Sequence, residues 1–153
     1  MDIDTLDHER HMERALELAR EAGDRGDEPF GSVLVRDGQI VMEDRNAVNS
    51  TDDIRRHPEL TLAQRAASEF TREECRQTVL YTSTEPCAMC SGGIYIAKLG
   101  GVVYSVSAER AGEVADTDLV VPSADIFEHG SVEIPVVGPV LPEEGAQIHA
   151  EWW

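Results

Sequence analysis

Lysine is almost missing from this chain. Of its 13 basic residues only Lys98 is a lysine, and the total stands against 30 acidic residues for a net charge of −17. Such a surface repels phosphate groups, so composition offers no general electrostatic attraction for DNA or RNA. An acidic surface of this kind suits high salt, where the Debye length falls to about 3 Å and the charge says little about partners. Cysteine is scarce too. Two of the three sit in one Cys-x-x-Cys, which fits a reducing cytoplasm better than a disulfide framework, and Cys75 is left over as a buried thiol. Long apolar runs are absent: Ile94–Val106 is broken by Lys98 and by glycines, far short of a membrane span. The acidic start, Met1-Asp2-Ile3-Asp4, lacks the character of a signal peptide. With no linker, repeat or low-complexity stretch, residues 1–153 read as a single domain able to bury a real core.

What is present alternates between helix and strand. Asp7–Ala22 carries Met12, Ala15, Leu16, Leu18, Ala19 and Ala22 on one stripe and predicts a helix ended by Gly23 and Gly26. Ser32–Arg36 and Gln39–Arg45 predict a hairpin across Asp37-Gly38. Asn46–Arg56 is a polar loop without a hydrophobic period. A second helix runs from Pro58 to Phe70, with proline tolerated at its first position. Val79–Thr82 is a short buried strand, Cys87–Leu99 a third helix stopped by Gly100-Gly101, and Val102–Ser107 the next strand. Ala108–Ser131 shows no clear element beyond Ile126-Phe127. Val132–Val136 predicts a fifth strand and Glu143–Trp153 a terminal helix. Strands separated by helices imply parallel crossovers and an α/β sandwich.

The chemistry concentrates in Thr84-Glu85-Pro86-Cys87-Ala88-Met89-Cys90 and in His57-Pro58-Glu59 upstream. Cysteines at i and i+3 in a first helical turn project from one face, so both thiolates reach one ion. A catalytic tetrahedral zinc takes a third protein ligand and keeps the fourth position for water. His57 supplies that ligand. Both ligand groups fall at helix N-termini, where orphan N–H groups and the macrodipole favour thiolates. Glu59 taken alone is an acid in a first helical turn, but two residues after a ligand it points into the site and can move protons. Asn46 reads as a loop residue or a site residue, and Phe30 as core or as a stacking ring. Arg45, Arg55 and Arg56 are the local positive cluster. His8, His11, His129 and His149 lack ligand spacing.

His-x-Glu followed by Pro-Cys-x-x-Cys is the signature of zinc deaminases. With Pro29-Phe30-Gly31-Ser32-Val33-Leu34-Val35, Asn46 and Gly92–Tyr104 it makes the chain resemble the cytidine/deoxycytidylate deaminase superfamily, in the branch of guanine deaminase, tRNA adenosine deaminase and cytosine deaminase. The resemblance spans nearly the whole chain. It implies a three-layer α/β/α sandwich around a five-stranded mixed sheet, one zinc per subunit held by His57, Cys87 and Cys90, and a homodimer. It further implies that Glu59 shuttles protons and that Asn46, Phe30 and Ala88 meet the substrate. Two departures stand out: Pro58 replaces the usual alanine, and Ala108–Ser131 does not place the acid expected to bind substrate. Trp152 and Trp153 sit where members of the family close over the substrate, and packing on the sheet is the preferred of the two readings. The expected reaction is hydrolytic deamination of a small purine base or nucleoside, since such a substrate needs no polyanion-binding surface. A tRNA adenosine, cytosine or another amino heterocycle are alternative substrates, and a zinc-stabilised inactive module is the alternative outside enzymes.

Overall fold

The structure, a computed structural model, describes residues 1–115 and 117–153; Asp116, inside the stretch Ala108–Ser131, lies outside the described residues. After a 3-10 turn at Ile3–Thr5, α1 (His8–Asp24) begins where the Asp7 side chain accepts the Arg10 N–H and satisfies an orphan donor. Gly23 does not end this helix. It lies within it, where any side chain would strike the Trp152 indole, and Gly26, at φ 92°, follows the helix end as expected. β1 (Gly31–Arg36) and β2 (Gln39–Arg45) form the expected hairpin, and Asp37 and Gly38 both take positive φ, as a two-residue turn with the strands' twist requires.

The polar loop Asn46–Arg56 carries one helical turn, α2 (Val48–Thr51). α3 (Pro58–Glu69) follows, and then a helix that the hydrophobic pattern did not show, α4 (Arg72–Arg76). Thr71 and Glu74 cap it reciprocally, side chain to backbone N–H in both directions. β3 (Val79–Thr84) is buried throughout, and α5 (Ala88–Ala97) follows. α5 ends before Gly100-Gly101: Lys98 itself adopts the left-handed conformation at φ 58°, with its ammonium 3.6 Å from the Tyr95 ring centroid. β4 (Gly101–Val106) then leads into the stretch without a sequence pattern, which holds two short helices, α6 (Ala108–Val114) and α7 (Ser123–Phe127). The expected strand Val132–Val136 is displaced and shortened to β5 (Val136–Val137). Pro135 and Pro139 have no N–H to give, so each interrupts the ladder as a donor, although the Pro135 carbonyl still accepts the Val102 N–H. α8 (Pro142–Trp152) closes the chain.

The sheet order is β2-β1-β3-β4-β5. β1 runs antiparallel to both β2 and β3, whereas β3, β4 and β5 are parallel, which makes the sheet mixed. Alternation along the strands splits the core in two. Val33, Val35, Val79, Tyr81 and Val103 face α1 and α8, where Met12, Leu16 and Ile148 pack. Leu34, Leu80 and Val102 face α3, α5 and α7, where Leu62, Ile94 and Phe127 pack. The result is the three-layer sandwich. Among the described residues no helix is long and apolar enough to cross a membrane.

Candidate metal centre and substrate pocket

α3 and α5 lie side by side on one face of the sheet and start at the same end of it. Gly93 permits the close approach: a side chain there would meet Leu60 of α3. That contact brings His57, at the N-cap of α3, to Cys87, at the N-cap of α5, and to Cys90 in its first turn. Pro58 occupies the first helical position, where a missing N–H costs nothing, so the stiffened entry leaves the His57–Glu59 spacing intact.

The His57 Nδ1 atom lies 3.7 Å from Cys87 Sγ and 3.5 Å from Cys90 Sγ, and the three donor atoms fall within 4.8 Å of one another. Tetrahedral zinc, with bonds of about 2.3 Å to sulfur and about 2.0 Å to nitrogen, sets an N and an S about 3.5 Å apart. The donor set and its spacing therefore fit that ion. The protons of the site point the same way. Cys90 donates to Cys87 and His57 lies beside it, so the Cys87 thiol is lowered to about 4 while Cys90 is raised by the same bond. His57 is raised by its bond to Cys87, against the effect of burial. A dication bound there displaces the remaining thiol proton and leaves both sulfurs as thiolates. His57, Cys87 and Cys90 form a potential zinc site.

Glu59 is buried beside them, and burial lifts its carboxyl to about 7, with His57 pulling the other way. Its Oε1 lies 3.4 Å from Ser32 Oγ on β1, which also meets Thr82 Oγ1 at 2.9 Å. A carboxyl balanced near neutrality, two residues from a metal ligand, can both accept and return a proton.

A cavity of about 290 Å³ opens onto His57, Glu59 and Cys87. Phe30 and Trp153 wall one part of it; Ala108, Ala111, Ala115, Thr117 and Leu119–Val121 wall another; Thr84, Glu85 and Glu28 complete it. A larger groove of about 610 Å³ runs along α3 and α5 past Arg55, Arg56 and Ile96, but none of the three ligands lines it. Among the residues singled out from sequence, Phe30 therefore stands in the cavity wall, edge-on to His149 at 5.7 Å between ring centroids. Asn46 is fully buried just behind the wall: its Nδ2 donates to Glu28 Oε1 at 3.3 Å and its Oδ1 accepts the Val48 N–H. Ala88 opens α5 and does not line the cavity. Arg45 pairs with Glu21 and Arg55 with Asp53, away from it.

Several wall residues carried no recognisable signal. Trp152 and Trp153 divide the roles assigned jointly to them: Trp152 packs against α1 and Trp153 faces the cavity. His149, left as structural, holds Trp153 by accepting its indole N–H at 2.7 Å, and its other nitrogen meets Thr84 Oγ1 at 2.8 Å. The spacing of His149 and Trp153, four residues apart on a helix, was the available hint. Glu85 stands next to Pro86-Cys87 in the motif, yet nothing in its position announced the contacts it makes across the fold.

Comparison with known proteins gives the same picture. The zinc-binding region of cytidine and deoxycytidylate deaminases matches residues 5–106. The guanine deaminase of Bacillus subtilis (strain 168) is 37% identical over 114 residues, covering 74% of this chain and 73% of its own. A probable cytosine deaminase of Schizosaccharomyces pombe is 32% identical over 151 residues, covering 94% and 90%. A solved structure from a study of A-to-I editing by tRNA:A34 deaminases superposes with a TM-score of 0.74 at 26% identity, covering 91% of this chain and 98% of that one.

Proposed function

From the premise that this chain belongs to the cytidine and deoxycytidylate deaminase family, a family of zinc hydrolases acting on C–N bonds, we propose that it deaminates a free purine base or its nucleoside, in the manner of guanine deaminase. The observation that carries this reading is the charge of the cavity wall. Glu28, Glu59 and Glu85 line it, with no lysine or arginine among the described lining residues. A phosphate group would meet the negative charge of three carboxylates there and no basic partner, whereas an uncharged ring with N–H donors meets acceptors in Glu28 and Glu59; the Glu85 oxygens are taken up by Ala108 and Ser123 and add charge only. Phe30 and Trp153 offer the flat apolar faces on which such a ring stacks.

Zinc held by His57, Cys87 and Cys90 supplies Lewis-acid activation of a water at neutral pH. The remaining work belongs to side chains. Glu59 takes one proton from the attacking water and passes it to the ring nitrogen, then takes the second from the hydroxyl now on carbon and passes it to the departing amine, so that amine and water become carbonyl and ammonia. Burial keeps this carboxyl near about 7, poised for both directions of transfer. The aromatic wall excludes bulk water from the ring.

Ammonia release from zinc-loaded protein tests the proposal, with guanine, adenine, cytosine, their nucleosides and an anticodon stem-loop as substrates at low and at molar salt. Turnover of a purine base or nucleoside is the expected result. Glu59→Ala should keep its zinc and lose about three orders of magnitude or more in kcat; retained turnover in that variant sinks the assignment. Activity confined to the stem-loop would favour tRNA adenosine, the reading that the likeness to the tRNA:A34 deaminase supports.

A further inference from the structure

The Glu85 carboxylate accepts three hydrogen bonds, all from the stretch that the sequence left blank. Its Oε1 takes the Ala108 N–H at 2.9 Å, and its Oε2 takes the Ser123 N–H at 2.8 Å and the Ser123 hydroxyl at 2.7 Å. Ala108 opens α6 and Ser123 opens α7, so one carboxylate grips both ends of the chain that runs between them. Between those ends, among the described residues, Thr117–Val121 make no hydrogen bond to the body of the protein. Leu119 and Val120 nevertheless line the cavity while staying largely open to solvent. Gly112 of α6 is the neighbour that Val120 folds back on. The apolar wall over the metal centre is thus an arch whose two feet, packed against α8 and α5, are also bonded to one and the same side chain.

Glu85 also sits at the turn that presents the zinc ligand. Its own N–H donates to Val106 O at 2.8 Å, extending the β3–β4 pairing, and Pro86 and Cys87 follow at once. The arch is therefore referenced to the same few residues that aim Cys87. We infer that Glu85 is a positioning residue: by bonding to Ala108 and Ser123 it holds the wall residues Leu119–Val121 at a fixed height above the metal centre and so sets how tightly the ring of the substrate is gripped. The inference rests on the deaminase reading for the words "substrate" and "metal", but the clamp itself is a matter of hydrogen bonds and can be measured without either.

The requirement is for a carboxylate. Three donors converge on two oxygens, and a group with acceptors alone satisfies them all. Glutamine has the right shape but turns an NH₂ toward at least one of these donors, releasing one foot of the arch. In Glu85→Gln, hydrogen exchange at the amides of Ala108 and Ser123, the two that Glu85 accepts, should accelerate about tenfold or more, with α1 and α3 unaffected. KM should rise about tenfold or more while kcat stays within about threefold and zinc remains at one per chain. Ser123→Ala, which removes one of the three donors and leaves the backbone alone, should shift both readouts in the same direction by less, and it stands in if Glu85→Gln does not fold. Exchange unchanged in both variants overturns the clamp. A kcat that collapses at constant KM overturns it differently, by making Glu85 part of the chemistry. If the unaltered protein deaminates nothing, the deaminase reading fails and the exchange data alone decide whether the arch hangs on Glu85.

Discussion

Both nitrogens of His149 are committed, and the direction of each bond follows from its partner. The Trp153 indole can only donate, so Nδ1 accepts and Nε2 carries the hydrogen toward Thr84 Oγ1. Protonation would put a hydrogen on the atom that already receives one. Burial accordingly depresses His149 to about 4, well under the ordinary histidine value. In the unfolded chain the ring titrates near about 6.5. The stabilising contribution of the neutral ring is therefore complete above about 6.5 and is lost as pH falls from there toward 4, amounting to about 3 kcal/mol at most. His11, also buried and lowered, acts in the same direction. Urea unfolding at pH 7.5 and at pH 5 should show this loss in the unaltered protein and a smaller one in His149→Gln. An identical pH dependence in the two would remove the ring from the account. The cavity should respond as well, since acid that charges His149 also frees Trp153 from its wall.

Helix α1 meets strand β1 at Gly31, where a Cβ would overlap the Ala15 carbonyl oxygen and the Ala19 nitrogen. These are backbone atoms of a helix and cannot swing aside. Gly31→Ala should cost about 3 kcal/mol, read as a lowered urea midpoint with little change in slope. The elements around this contact were legible because each carries a local pattern. α1 has a complete stripe, the hairpin has Asp37-Gly38, and His57, Cys87 and Cys90 are set by spacing on helices whose starts are marked by proline. α4 was legible in principle, since Thr71 and Glu74 stand three apart as a capping box, but five residues give no hydrophobic period to draw attention to it. α6 and α7 are different. With seven and five residues they complete no repeating stripe, and the carboxylate that bonds to the start of each is Glu85, 23 and 38 residues back in the chain. The cavity wall they carry is a tertiary fact with no local signal. The division of labour between Trp152 and Trp153 is similar, for adjacent helical residues face different ways and only the packed helix decides which one meets α1.

A molecule of 153 residues with a net charge of −17 is compressed against its own repulsion. The ion pairs on its surface are weak counterweights: Arg14 with Glu17 and Glu43, Arg65 with Glu69 and Arg110 with Glu143 are all substantially exposed. Salt screens both contributions, and the repulsion is the larger. Raising sodium chloride from about 0.1 to about 1 M, which shortens the Debye length from about 10 to about 3 Å, should therefore raise the melting temperature. A fall would mean that the pairs matter more than the net charge. The same composition leaves Lys98 as the sole side-chain primary amine, at the end of α5 remote from Cys87 and about 15 Å along the helix from it. An amine-reactive fluorophore consequently has one side chain to find besides the α-amino group. Cobalt substituted at the triad would quench a dye fixed there by energy transfer, so metal occupancy becomes an optical signal carried along a single helix.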